Sequence, residues 1–172
     1  MIVVKKKMAL VFVLVMALAT FGFSASAQAA DSDTQTVTFE VTAINEISVS
    51  GDPASLTINA ATAGSEPTPV TDSSTTYSIT TNGSSKKITA GISAIMPTNT
   101  TLEVELASTA GTSQGSVDIS NATTGSEVDV VTGLSSCTES AQTITYTFSA
   151  TIAAGALTSD TRIVTFTIAD AI

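Results

Sequence analysis

Histidine and tryptophan are absent from the 172-residue chain, and cysteine occurs once. Without an imidazole there is no Ser-His-Asp or Cys-His nucleophile pair, and nearly all zinc, copper and haem ligation loses its usual donor. Aromatics are few. Beyond residue 29 only Phe39, Tyr77, Tyr146, Phe148 and Phe166 remain, and alternation assigns all five to a core. A glycan-binding surface built on exposed aromatic rings therefore has little to draw on. Positive charge is equally scarce. Lys5, Lys6 and Lys7 supply half of the six basic residues, so past residue 29 only Lys86, Lys87 and Arg162 face 15 carboxylates, a net charge of −12. Such a surface repels phosphate backbones and anionic lipid, which excludes nucleic acid and membrane-surface partners.

One long apolar run exists, "MALVFVLVMALATFGF" at 8–23, directly behind the three lysines. It is short for a membrane span and is followed by "SASAQAA", a run of small residues suited to cleavage between Ala29 and Ala30. The reading is a signal peptide over 1–29, removed on export, and no membrane span afterwards. No cysteine stands near the cut to carry a lipid anchor. The expected location is secreted, at the cell surface or extracellular, with the periplasm as the alternative. The 143 residues from 30 to 172 suffice for one domain that buries roughly two-thirds of its unfolded-chain surface.

Of those 143 residues, 51 are Ser or Thr. Thr is β-branched and gives the outer face of a strand polarity without charge. Apolar residues recur with period two from end to end. In "TQTVTFEVTAINEISVS" (34–50), Val37, Phe39, Val41, Ala43, Ile47 and Val49 share one parity, as one bent strand or two joined near 43–45. A short strand is expected at 55–59, and 60–74 reads as a loop because Pro67 and Pro69 do not fit a central ladder. Tyr77 and Ile79, then Asn82-Gly83, then Ile88, Ala90 and Ile92 read as a hairpin. Further strands follow at 101–107, 116–120, 127–134, 142–153 and 161–170. About nine or ten strands and no amphipathic helix predict an all-β single domain over 30–172, a β-sandwich of Ig-like or jelly-roll type.

Motifs with chemistry are sparse. Ser84-x-x-Lys87 matches an acyl-enzyme pattern that requires a helix start, whereas here it falls in a turn. Asp52, Glu66, Asp72, Asp118, Glu127 and Asp129 offer oxygen ligands for a loop-end Ca²⁺, yet no Asp-x-Asp-x-Asp-Gly loop gathers them; solvated strand edges are the simpler reading, and no cofactor is expected. Glu103 and Glu105 lie on the outer face of one strand, and no cleft signature makes them a glycosidase pair. Cys137, lone in an exported chain, is either a small buried hydrophobe or half of an intermolecular disulfide. Asn82, Asn99 and Asn121 fit the glycosylation sequon, close to the number expected by chance in so Ser/Thr-rich a chain. Lys86 and Lys87 are also possible partners for an isopeptide bond to Asn or Asp on a neighbouring strand. Nothing here points to an enzyme.

Both ends of the mature chain are strand-like, 34–43 and 161–170. An unpaired terminal strand is a template for another chain, and an extended segment can complete a neighbour's sheet. The layout of signal peptide, "TFEVTAINEISVSG", "LTI", "TYSITTN", "KKITAGI", "TYTFSATI" and closing "VTFTI" resembles secreted bacterial all-β surface proteins of the WxL-like and coat-U/pilin-like groups. That resemblance implies a non-catalytic cell-surface or filament role. The expectation is self-association, or association with other surface proteins, through a donated strand carrying Val37, Phe39 and Val41. The alternative is a monomeric adhesin or glycan-binding module that reads its ligand through the loops 60–74 and 110–116.

Overall fold

The computed structural model describes residues 31–171, so the expected signal peptide lies outside the described residues. The chain divides into two units, 1–40 and 41–172. Within the second are nine strands: β1 (Asn45–Val49), β2 (Val70–Thr81), β3 (Lys86–Ile92), β4 (Thr100–Leu106), β5 (Thr112–Ser113), β6 (Val117–Asp118), β7 (Val128–Leu134), β8 (Cys137–Ala150) and β9 (Val164–Asp170). One 3-10 turn, Ile152–Ala154, is the only helical element among the described residues. No helix there is long and apolar enough to cross a membrane.

The strands form two antiparallel sheets in a sandwich-like arrangement. One has the order β1-β2-β8-β4-β6 and the other β5-β7-β3-β9. Alternation decides which side chains go inside, because successive Cβ atoms on a strand point to opposite faces. Leu102, Val104 and Leu106 of β4 are buried while Glu105 is exposed. Ile88, Ala90 and Ile92 from β3 meet Tyr77, Ile79, Ile144 and Tyr146 from the facing sheet in one core. Each fully buried Val, Leu or Ile contributes roughly 1.5–3 kcal/mol relative to exposure.

From β2 onward the chain changes sheet at every connection. This overturns the expected hairpin. Residues 82–85 carry the chain from one sheet to the other, and β2 pairs with β1 and β8, not with β3. A two-residue type I′ hairpin turn needs left-handed φ at both central residues, but here Ser85 takes that conformation (φ 53°) and neither Asn82 nor Gly83 does. Tyr77 and Ile79 do alternate with Ile88, Ala90 and Ile92, but across the core instead of side by side. The inward rows look the same in sequence either way.

Other boundaries also move. Residues 55–59 form no strand, although Leu56 still packs on the core, and the only pairing in that connection is an isolated bridge between Ala61 and Pro67. Val70 to Ser74, read as loop, opens β2 and is offset from β8 by an irregularity between Asp72 and Thr75. β8 begins at Cys137, earlier than expected, and β5 was not anticipated. The segment 34–43 enters no ladder. Phe39 is 89% exposed, which corrects its assignment to the core. Tyr77 and Tyr146 are buried, whereas Phe148 and Phe166 are half-buried against the same cluster.

The β4–β5 crossover lies so close to β7 that its last residue must be glycine. A Cβ on Gly111 would stand 2.7 Å from the Thr132 carbonyl oxygen and 2.8 Å from side-chain atoms of both Val131 and Leu134. Backbone and two fully buried side chains cannot all give way. Gly111→Ala is expected to destabilise the fold by about 1–3 kcal/mol, the usual cost of overpacking; a shift of the urea midpoint at unchanged slope is the measurement that checks it.

Candidate functional site

The candidate assembly residues fall in two places. Val37 and Phe39 belong to the unit 1–40, of which 31–40 is described, and that stretch is exposed throughout and lies in no strand. Val41 opens the second unit. The three are 72%, 89% and 79% exposed, so the alternating row read from the sequence is an exposed one.

Downstream of Val41 the backbone is held by one side chain. The Asn82 Nδ2 donates to the Thr42 carbonyl at 2.8 Å, and its Oδ1 accepts from the Ile44 N–H at 2.8 Å. The Asn82 backbone N–H also donates to the Ile44 carbonyl at 3.2 Å. One carboxamide thus imitates a strand neighbour and prolongs the β1–β2 ladder past its end. This engagement also occupies the nitrogen that glycosylation at Asn82 would need. Asn99 and Asn121, in the other two sequons, are exposed.

β1 itself is held by β2 alone. Its register places Ile47 opposite Ile79 and Val49 opposite Tyr77, so both point to the core face. Yet Ile47 is half-buried and Val49 is 53% exposed. β9 is held by β3 alone, with Val164, Phe166 and Ile168 opposite Ile92, Ala90 and Ile88. Those three also face inward and are also only half-buried. Among the described residues, no strand pairs with the outer edge of either.

Sequence reasoning did not single out Glu139. It is 6% exposed, opposite Ile79 on β8, and its carboxylate gathers the start of the β4–β5 crossover. It accepts from the hydroxyls of Ser108 and Thr109 and from the backbone N–H groups of Thr109 and Ala110. The Tyr77 hydroxyl donates to the Ala107 carbonyl at 2.6 Å and lies 3.4 Å from the same carboxylate. Burial works to raise the Glu139 pKa, but the donated hydrogen bonds outweigh it and hold the group below its ordinary 4.5. Burial and then the neighbouring carboxylate raise the Tyr77 phenol, which stays protonated. Every partner in this cluster belongs to the strand-and-crossover framework, so its chemistry is structural. No local signal marked it, because "CTES" gives no hint that its Glu turns inward.

The remaining candidates do not converge. Ser84 is exposed in the 82–85 connection, and Lys87 lies on β3 in an ion pair with Asp129 at 3.0 Å. No helix relates them. Lys86 pairs with Asp170 directly across β3–β9, with Asp170 81% exposed. Glu66 accepts from the Ile152 N–H, Asp72 from Ser74, Asp118 from the Ser120 N–H, and Glu127 from the Gly125 N–H. Glu103 stands opposite Asp118 in the β4–β6 ladder, and Glu105 is exposed on the same outer face. Among the described residues no three His, Cys, Asp or Glu side chains come together as a metal would require. Cys137 is half-buried at the start of β8, beside Thr81, and packs on the core. A shallow cleft of about 750 Å³ at one end is lined by Thr62, Glu66, Asn99, Thr101, Ser149 and Thr151, among others, with no aromatic ring.

No protein-family model matches the chain, and neither a curated protein nor a solved structure shows significant similarity to it. The reading of function rests on the site alone.

Two outcomes follow from this geometry. Asn82→Ala should leave the domain folded but speed amide exchange at Ile44 about 5–10-fold, since a lost hydrogen bond is worth about 1 kcal/mol; an unchanged Ile44 rate in hydrogen-exchange NMR would show that the carboxamide does not hold this segment. Glu139→Gln should cost about 2 kcal/mol at neutral pH, because buried donors lose a charged acceptor. The native pKa lies below the unfolded one, so the advantage of the wild-type chain is full above the ordinary 4.5 and fades as pH falls through the lowered value. Urea titrations of both proteins across that acidic range check the sign.

Proposed function

We propose that this is an exported, non-catalytic structural protein of the cell surface that self-associates by strand donation, as a filament subunit would. The observation that carries the reading is the stretch 34–43, in which Val37, Phe39 and Val41 alternate with polar residues in a segment that is exposed and enters no ladder. An exposed apolar row outside any ladder has what another chain needs to extend its sheet: hydrogen bonds for affinity and alternate side chains for specificity. A donor at one end and an acceptor elsewhere make a heterologous contact, which builds an open chain of subunits unless the rotation closes. The Thr-rich outer faces suit a durable exterior, and the −12 net charge keeps the surface from associating at random.

The hydroxyl-lined cleft between the 62–69 loop and the ends of β4 and β8 favours the second reading, a monomeric adhesin or glycan-binding module. Size-exclusion chromatography and negative-stain microscopy of the chain from Ala30 onward, with and without reductant, separate the two. Strand donation predicts high-mass ladders or filaments in both conditions, lost on deletion of 30–42 with the remaining domain still folded. A dimer that collapses on reduction would assign association to Cys137. A monomer throughout would discard self-assembly and leave the adhesin reading.

A further inference from the structure

We infer that the acceptor for the donated strand is the seam between β1 and β9, and that its occupant is the 31–41 segment of a second copy of this chain. The inference rests on the strand-donation reading and names its receiving site. β1 and β9 are edges of opposite sheets and approach each other. Their outer edges are the open ones. The Ser93 N–H donates to the Ile163 carbonyl and the Ala171 N–H to the Ser85 carbonyl, so odd-numbered residues of β9 bond β3 and the backbone groups of Val164, Phe166 and Ile168 point away from it. The same counting on β1, from Ile44 with Asn82 and Ser50 with Thr76, turns the backbone of Ile47 and Val49 outward.

These five residues therefore combine three features at one place: inward side chains, incomplete burial and unpaired backbone. A strand laid along β9 would satisfy the backbone and cover the side chains together. Val37, Phe39 and Val41 repeat at i, i+2 and i+4, the spacing of Val164, Phe166 and Ile168. Charge does not oppose this strip. The donor carries Asp31, Asp33 and Glu40, and the second unit's three cations, Lys86, Lys87 and Arg162, lie around β9, each paired with a carboxylate of its own unit, Asp170, Asp129 and Asp160. The remaining carboxylates of that unit have no cation to offset them, so an acidic segment is repelled least beside β9.

Site-directed disulfides test this without disturbing the core. In a Cys137→Ser background, chains carrying Thr38→Cys are mixed with chains carrying Thr165→Cys, Thr167→Cys or, as a control by the far edge, Ser116→Cys; all four wild-type residues are exposed. Mild oxidation should give intermolecular dimers with a β9 cysteine in at least about tenfold excess over Ser116→Cys, because docking raises the local thiol concentration toward the millimolar range. High-mass assembly with no preference for β9, or with preference for Ser116→Cys, would overturn the seam while leaving strand donation standing. A bond formed within one chain of the Thr38→Cys/Thr167→Cys double variant at high dilution would overturn the second copy as occupant. A monomer at every concentration, with no cross-link at any pair, would remove the strand-donation reading and the seam with it.

Discussion

From β2 onward the chain crosses the core at every connection, and β1–β2 is the one pairing between consecutive strands among the described residues. This constraint organises the rest of the molecule. Each strand faces its successor across the core and pairs with a strand two or more elements away, so almost no pairing is local and loop-closure entropy must be overcome before ladder bonds form. The crossovers are accordingly where the specific polar devices sit. Glu139 gathers the β4–β5 connection, and Gly111 lets it lie against β7. The β7–β8 corner is fastened to the β2–β3 corner, where the Ser136 N–H donates to the Gly83 carbonyl and its hydroxyl to that of Asn82. Buried ladders hold the sheets together, and these contacts fix the paths between them.

The same alternation of sheets leaves the margins at β1 and β9 incompletely covered. Five strands face four, and β1 and β9 are left as edges on opposite sheets. Inward residues at such a margin keep one side uncovered, which is why Val49 and Phe166 share the parity of Tyr77 and Ala90 without sharing their burial. Asn82 belongs to this margin as well as to a corner. Its backbone carbonyl accepts from Ser136, while its side chain grips Thr42 and Ile44, so the sheet crossing and the entry of the N-terminal segment meet at one residue.

Much of the sandwich was legible because period-two alternation reports which face is apolar, and that information is local. It placed β3, β4, β7 and β9 within a few residues and identified Tyr77, Val104 and Ile144 as core. Alternation carries no information about which sheet a strand joins, however, so the two arms around Asn82-Gly83 were paired with each other when they oppose each other. It is equally silent on whether an apolar row is covered: Phe39 and Phe148 have the same pattern, one exposed and the other packed on the core. Glu139 was invisible for a third reason. Its partners Ser108, Thr109 and Ala110 are about 30 residues away, and only the fold brings their donors to one carboxylate.

Val37, Phe39 and Val41 form an exposed apolar row that lies in no strand. It is also a hazard, for extended apolar segments with free backbone groups recruit one another without discrimination. The sequence restrains this with charge. Asp31, Asp33 and Glu40 make two such segments repel each other. On the strand-donation proposal, a domain whose few cations lie beside β9, each balanced by a carboxylate, repels an acidic segment least there. On that same proposal the acidity favours head-to-tail contact over the tail-to-tail contact that identical apolar strands would otherwise make.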